Sequence, residues 1–365
     1  MKRNKMIPYE ATFFKHCMNA AIDYSAIIRL GWQEYNPDRK IAEITDLSVN
    51  VSTNKVFRLS FDDGSFVMAK VSNFGKYENF KEDHTIINVL ANNLEYPYDM
   101  FLSSSLMKGD ELFLYKYEDA IIEVWMVFYR VERIAERLPK RLDEKQIRIL
   151  GSEMAKFHKV CDTMAPVLPR SSKNLQKDIM LLMRNLENPE HTQHFGGSVD
   201  LIRRHCDMCL KNIDTLGFNS FKKIPVFVDW NSGNFSVRED GTLFSRWDYD
   251  WFRMSSRIMD FYMFSRVVSD IGDKTDFSYT ATQLKEDRFL LFLEEYHKEF
   301  PLTENEVRFL KEAYRFFILH YVISNGIYFF SNAYAQKLQR EACEIYLPQL
   351  DSVFNPEVIL KHLHI

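Results

Sequence analysis

Glycine is scarce in this chain. Only 12 of 365 residues are Gly, under half of the roughly 7% of an average protein. No two glycines stand two positions apart, so the G-x-G-x-x-G dinucleotide fingerprint is absent. No G-K-[ST] occurs either, which excludes a P-loop. Any phosphate chemistry here proceeds without a glycine-rich loop. Basic charge is not in excess. Against 51 Asp plus Glu stand 47 Lys plus Arg, a net charge of -4, which leaves no basic surplus for a nucleic-acid backbone. The five cysteines, Cys17, Cys161, Cys206, Cys209 and Cys343, are odd in number and scattered, as in a reducing compartment. Long apolar runs are missing too. Lys2, Arg3 and Lys5 lead into no apolar segment, so no secretory leader is expected. The most apolar stretch, Phe316 to Phe330, is interrupted by His320, Ser324 and Asn325. It reads as one buried helix and not as a membrane span. The expectation is a cytoplasmic protein with no nucleic-acid and no membrane partner.

What is present is material for a large core. Hydrophobic residues make up 46% of the chain and charged residues 27%, which argues against disorder. The 30 Phe and 18 Tyr read first as core rings. The length suits two domains or lobes. Residues 9 to 33 read as a helix. Val56–Phe61 and Ser65–Val71 are β-type runs around Asp62-Asp63-Gly64, a hairpin signal. A helix is expected over 78–93, then strands over 111–117 and 121–129. Past Arg130 the texture is mostly helical. Asp143 is a plausible N-cap for a helix whose Ile147, Leu150, Met154, Phe157 and Cys161 keep helical spacing. Further helices fit 174–186, 198–214, 256–270, 283–299 and 304–330. The boundary falls near Phe128 to Ile134, giving a lobe at 1–128 and a second at 129–365. The fold class is α+β, with a small antiparallel sheet first and a larger helical lobe after it.

One β interruption, 224–250, carries the chemistry. Glu239-Asp240-Gly241 is a turn signal between two alternating runs. Asn234 and Asp248 each lie seven residues from Gly241, so a hairpin folded there sets them side by side at its open end. Asp229 lies five residues before Asn234, on the loop that enters the first strand. A carboxylate and an amide oxygen suit Mg²⁺, which keeps its waters and binds substrate phosphates. A further carboxylate can take the proton of a hydroxyl nucleophile. These are the parts used in phosphoryl transfer. The first lobe supplies the complement. Val67-Met68-Ala69-Lys70 ends a hairpin strand and offers a lysine for phosphate oxygens. The next helix opens with Glu82-Asp83-His84, acids that could hold that lysine. The turn Asn50-Val51-Ser52-Thr53-Asn54 has the hydroxyls and backbone N–H groups to cover phosphates.

In these pieces the sequence resembles the aminoglycoside phosphotransferase and choline kinase group, whose fold is similar to that of protein kinases. That family's H-G-D-x-x-x-x-N stands here as Phe227-Val228-Asp229 followed by Asn234. Its I-D-[FWY]-[DE] is matched by Trp247-Asp248-Tyr249-Asp250, and its R-x-x-D by Arg257-Ile258-Met259-Asp260. Leu150-Gly151-Ser152-Glu153-Met154-Ala155-Lys156-Phe157-His158 is similar to its L-G-x-x-L-A-x-L-H helix. Asn54-Lys55-Val56-Phe57-Arg58-Leu59 resembles its S-N-x-V-Y-R-V strand. The resemblance spans most of residues 45 to 270. It implies an ATP- and Mg²⁺-dependent kinase of a small hydroxylated acceptor: an amino alcohol, a sugar or an aminoglycoside.

The roles it implies are these. Asp229 is the catalytic base, and Asn234 and Asp248 are the Mg²⁺ ligands. Lys70 binds phosphate, Asp83 is the helix acid with Glu82 as the fallback, and Ser52 and Asn54 belong to the phosphate turn. Backbone at Val127, Phe128 and Tyr129 meets adenine. Arg257 and Asp260 form an internal pair. The motif His is Phe227 here, so the support of the loop must differ. That departure and the Gly-free turn also motivate a second reading, a nucleotide-binding pseudokinase or scaffold.

Several residues stay open between two readings. Asp250 is a further metal ligand, a substrate-facing acid or a solvated surface residue. Trp230 and Trp251 either meet a cationic substrate through their rings or seal the core under the hairpin, and the core reading is preferred. His158 lies on an apolar helical face and reads as a satisfied core residue. His205-Cys206-Asp207-Met208-Cys209 has no second ligand pair and reads as a helical face, not a zinc site.

Overall fold

The structure is a computed structural model. It describes residues 22–49, 52–73, 75–120, 122–130, 134–188, 192–272 and 278–365. The early part of the helix expected at 9–33, and Asn50 and Val51 of the turn, lie outside the described residues.

The small lobe is built on the expected hairpin. Strands β2 (Lys55–Phe61) and β3 (Phe66–Ser72) turn at Gly64, whose φ of 79° favours glycine. With β1 (Ile41–Asp46), β4 (Leu114–Glu118) and β5 (Glu123–Tyr129) they form an antiparallel sheet of order β1-β2-β3-β5-β4. The register sets Lys70 opposite Val56 on one side and Val127 on the other. Helix α1 (Tyr24–Tyr35) covers one face, and Trp32 meets the rings of Phe61 and Phe128. Helix α2 (Tyr77–Asn93) is different. Its Ile86, Ile87 and Leu90 belong to the core of the larger lobe. The helix that could hold Lys70 is thus packed from the large-lobe side.

The large lobe is helical. Helix α3 (Glu144–Met164) opens on a reciprocal capping box between Asp143 and Gln146, worth about 1 kcal/mol. It packs along α7 (Asp287–Glu299). At their crossing a Cβ on Gly151 would stand 2.5 Å from the Phe292 carbonyl oxygen, so only glycine fits there. Helices α4 (Leu175–Asn185), α5 (Val199–Thr215), α6 (Phe261–Val267) and α8 (Glu304–Phe317) surround this pair. No described helix is long and apolar enough to cross a membrane.

Two expectations need correction. The single helix over 304–330 is interrupted. After α8 the chain widens into a π-helical turn, Ile318–Ser324, and stops at Asn325 before a short helix, Gly326–Phe329. The Asn325 side-chain amide and N–H both donate to the His320 carbonyl, which closes the wide turn. Apolar periodicity cannot report such a break, because every residue from Ile318 to Ile323 except His320 is buried. The helix expected over 256–270 starts instead as a 3₁₀ turn, Arg257–Asp260, before α6.

Within this lobe β6 (Ile224–Val226) pairs with β9 (Arg253–Ser255). The chain between them makes the hairpin of β7 (Phe235–Val237) and β8 (Leu243–Arg246), with Gly241 at φ 85°.

Candidate active site

The hairpin delivers its open end as the spacing requires. Phe235 faces Arg246, and the Trp247 N–H donates to the Asn234 carbonyl at 3.0 Å. Asn234 and Asp248 are therefore neighbours. Asp229 joins them, since the Asn234 side-chain amide donates to its Oδ2 at 2.9 Å. Two residues of this site adopt left-handed backbone: Val228 at φ 60° and Asp248 at φ 72°. For a β-branched residue that conformation is a strain of about 1–3 kcal/mol, so the loop must be held.

Asp260 holds it. Its Oδ1 accepts the N–H groups of Phe227 at 3.0 Å and Val228 at 2.7 Å. Its Oδ2 lies 3.0 Å from His158 Nε2, and His158 Nδ1 lies 2.8 Å from the Tyr296 hydroxyl. His158 and Asp260 are fully buried. The carboxylate only accepts, so His158 donates from Nε2 and accepts the Tyr296 O–H at Nδ1. Arg257 does not pair with Asp260 as expected. It pairs with Glu306 at 2.8 Å, because the nearer carboxylate is fully engaged by the loop. Phe227, in place of the motif histidine, has another use. With Trp230, whose ring stands nearly perpendicular to its own, it lines two adjacent sides of the buried Arg246 guanidinium, 4.7 Å and 4.3 Å from the two ring centroids. Arg246 Nη2 donates to the Asp229 carbonyl at 2.8 Å and lies 3.4 Å from that of Asp248. It struts the Asp229 loop against the Asp248 loop.

Electrostatics separate the three carboxylates. Burial, and then the charge of Asp248, push Asp229 up to about 7, suited to a general base near neutral pH. For Asp248 burial works upward, but the charge and hydrogen bond of Lys70 outweigh it and hold the group below the usual range. Asp250 is raised, by burial and by Asp248. Lys70 is 5% exposed. Its Nζ lies 2.8 Å from Asp248 Oδ1 and 2.6 Å from Asp250 Oδ1. One cation already bridges both carboxylates, which are therefore spaced to share one. With Asn234 the donor set is all oxygen and fits Mg²⁺. Among the described residues no group of three or more His, Cys, Asp or Glu is arranged as a metal cage.

Other expected site residues are placed differently. Asp83 is not beside Lys70 but pairs with Lys173, which also donates to the Phe252 carbonyl at 2.7 Å. Glu82 accepts from the Ser171 hydroxyl and the Ser172 N–H, each at 2.7 Å. Both acids tie α2 to the large lobe, and their pull leaves Lys70 to Asp248 and Asp250. Val127, Phe128 and Tyr129 lie inside the sheet. Val127 is flanked by Lys70 and Leu114, and the Phe128 carbonyl accepts from Leu106 at 2.7 Å. Their backbone is engaged in these pairings. Trp230 is fully buried against Phe101, Phe157, Phe235 and Phe264, and Trp251 is 5% exposed against Phe317 and Tyr321. Neither ring offers a face to a substrate; they seal the core. Ser52 bridges to Phe330, and Asn54 donates to Asp250.

Arg246 and the bracing role of Asp260 and His158 escape sequence reasoning. Arg246 stands two positions before Asp248 on a strand, with no pattern to single it out. One consequence is testable in binding. Asp250→Asn is expected to weaken Mg²⁺–nucleotide binding at least about tenfold more than Asp83→Asn, as loss of a charged partner does, measured by calorimetry.

No family profile matches the sequence, and no curated protein matches it. Solved structures do match in shape. A microcompartment-associated aminopropanol kinase superposes with a TM-score of 0.61 at 14% identity, over 91% of this chain and 99% of that one. An amicoumacin kinase in complex with AMP-PNP and Ca²⁺ gives 0.60 at 13% identity, over 90% and 96%. The GDP complex of aminoglycoside 2′-phosphotransferase-IIIa gives 0.53 at 13% identity, over 89% and 99%. The chain has the fold of these small-molecule kinases. In this two-lobed fold the Lys70 strand meets the 229–250 segment directly, through the ion pairs of Lys70 with Asp248 and Asp250.

Proposed function

We propose that this chain is an ATP- and Mg²⁺-dependent O-phosphotransferase acting on a hydroxyl of a small acceptor. The observation that carries the reading is the junction of Lys70 from the small lobe with Asp248, Asn234 and Asp229 from the large one. Asp229 orients the acceptor hydroxyl and takes its proton. Asn234, hydrogen-bonded to Asp229, keeps the base and the metal side in register. Asp248, Asn234 and Asp250 would hold the metal, and Lys70, now paired with Asp248 and Asp250, would meet the phosphate oxygens. Mg²⁺, when bound, would supply positive charge to offset that of the phosphates. The chain's own contribution is mainly positioning and preorganised charge. The neighbours support the reading. One is named an aminopropanol kinase and one an amicoumacin kinase, and the nucleotides in these structures are AMP-PNP and GDP. Three buried free thiols, Cys161, Cys206 and Cys209, accord with a cytoplasmic setting.

The test is ADP release over a panel of amino alcohols, sugars and aminoglycosides, with a GTP arm. Turnover with at least one hydroxyl acceptor, lost in Asp229→Asn, is the expected result. One observation favours a second reading. Lys70 already pairs with both carboxylates, and Ser52, Thr53 and Asn54 are tied to the large lobe. A pseudokinase held in that state would bind nucleotide and release no ADP with any acceptor.

A further inference from the structure

The turn that lacks glycine is fastened at three points. Ser52 forms an isolated antiparallel bridge with Phe330. The Thr53 hydroxyl donates to the Tyr328 carbonyl. The Asn54 side-chain amide donates to Asp250 Oδ2, and Asp250 Oδ1 takes the Lys70 ion pair. These partners are 196 to 278 positions away in sequence and all belong to the large lobe. The interruption at Asn325 is what brings the Gly326–Phe330 segment back to meet the turn.

Asn54 is the inner point of this fastening. It is 4% exposed, and a carboxylate accepts only, so its NH₂ must face Asp250. That leaves its Oδ1 buried with no hydrogen-bond partner among the described residues. A buried orphan acceptor beside the Asp250 carboxylate is an unfavourable arrangement in isolation. It suits a site that receives a hydrogen-bond donor.

We propose that Asn54 is a positioning residue that clasps the phosphate turn to Asp250, and that Asn54 and Thr53 together couple the nucleotide side of the site to the Gly326–Phe330 segment. The coupling to nucleotide rests on the phosphotransferase reading; the clasp itself does not. Closure of the turn and placement of the Asp250 carboxylate are then one event. The segment that carries Tyr328 senses that event through Thr53.

The experiment is hydrogen exchange by mass spectrometry on the full chain, wild type, Asn54→Ala and Thr53→Val, each without ligand and with Mg²⁺ plus AMP-PNP. Without ligand, both variants are expected to exchange amides of residues 326–330 about tenfold faster than wild type, while the α3–α7 core stays unchanged as the folding control. Unchanged exchange at 326–330 in either variant overturns the clasp. With Mg²⁺ and AMP-PNP, wild type is expected to gain protection at 326–330 and Asn54→Ala to lose that gain, with nucleotide affinity about tenfold weaker. Conservative Asn54→Gln, which keeps the amide donor, is expected to recover part of it. Wild-type binding with no response at 326–330 overturns the coupling. If wild type binds no nucleotide while the ligand-free difference stands, the clasp holds and the phosphotransferase reading falls.

Discussion

Asp229→Asn is expected to lower turnover about 10²–10⁴-fold while the protein folds normally. The amide can still lie against Asn234, but it cannot take a proton. The same substitution has a second, opposite effect. The folded-state value of Asp229 is about 7, above the ordinary 3.8. Between those values the folded protein binds the proton that the unfolded chain has lost. The stability this group contributes is thus complete below about 4 and is lost as pH rises through 7. Removing the charge should raise the melting temperature above pH 7 and leave it little changed below pH 4. Activity should run the other way in wild type, rising with pH through about 7 as the base ionises. Calorimetric melting at pH 5 and 8, beside a pH–rate profile, checks both signs. A variant that melts lower than wild type at pH 8 would contradict the burial of a reluctant charge at this position.

The second large effect is expected at Asp260. Asp260→Ala leaves two buried loop N–H groups and His158 Nε2 without their acceptor. Losing one partner of such a buried network costs about 3–5 kcal/mol, a fall in melting temperature on the order of 5–10 °C. Activity should fall further than stability alone explains. Val228 holds its φ of 60° only because Asp260 grips it, and a base displaced by about 1 Å can lose roughly 10²-fold in rate. Asp260→Asn should be much milder. Its Oδ1 still accepts both loop N–H groups. Its NH₂ can face His158 if the imidazole moves its proton to Nδ1 and donates to Tyr296. Thermal melting and turnover of the two variants, measured below the lower melting point, separate the cases. Equal melting of Asp260→Ala and wild type would contradict the brace.

Much of this site is legible in the sequence, for a definite reason. The Gly64 and Gly241 turns fix register, and register fixes neighbours. Asn234 and Asp248 meet because both count seven residues from Gly241. Lys70 reaches the cleft because Asp62-Asp63-Gly64 sets its strand. What is not legible is competition. Lys70 could meet Asp83 or the Asp248–Asp250 pair, and Lys173, ninety positions from Asp83, decides it by taking Asp83. Asp260 could meet Arg257 three residues away. It meets the Phe227 and Val228 N–H groups instead, while Glu306 takes Arg257. The break at Asn325 is invisible because a π-helical turn keeps apolar residues buried as an α-helix would. Trp230 shows the limit of composition: a ring beside Asp229 looks like a substrate contact until five other rings surround it.

The glycine shortage takes its place in this picture. A Ser-Thr-Asn turn cannot wrap phosphates as a glycine-rich flap does, and here it is fastened by side chains instead. The central claim is that the cleft takes a nucleotide through a divalent cation held by Asp248. Titration calorimetry of wild type and Asp248→Ala with ADP or AMP-PNP, with and without Mg²⁺, tests it most directly. Wild type is expected to bind only with Mg²⁺, and Asp248→Ala not at all. Absence of binding in wild type, or binding indifferent to both Mg²⁺ and Asp248, would contradict it.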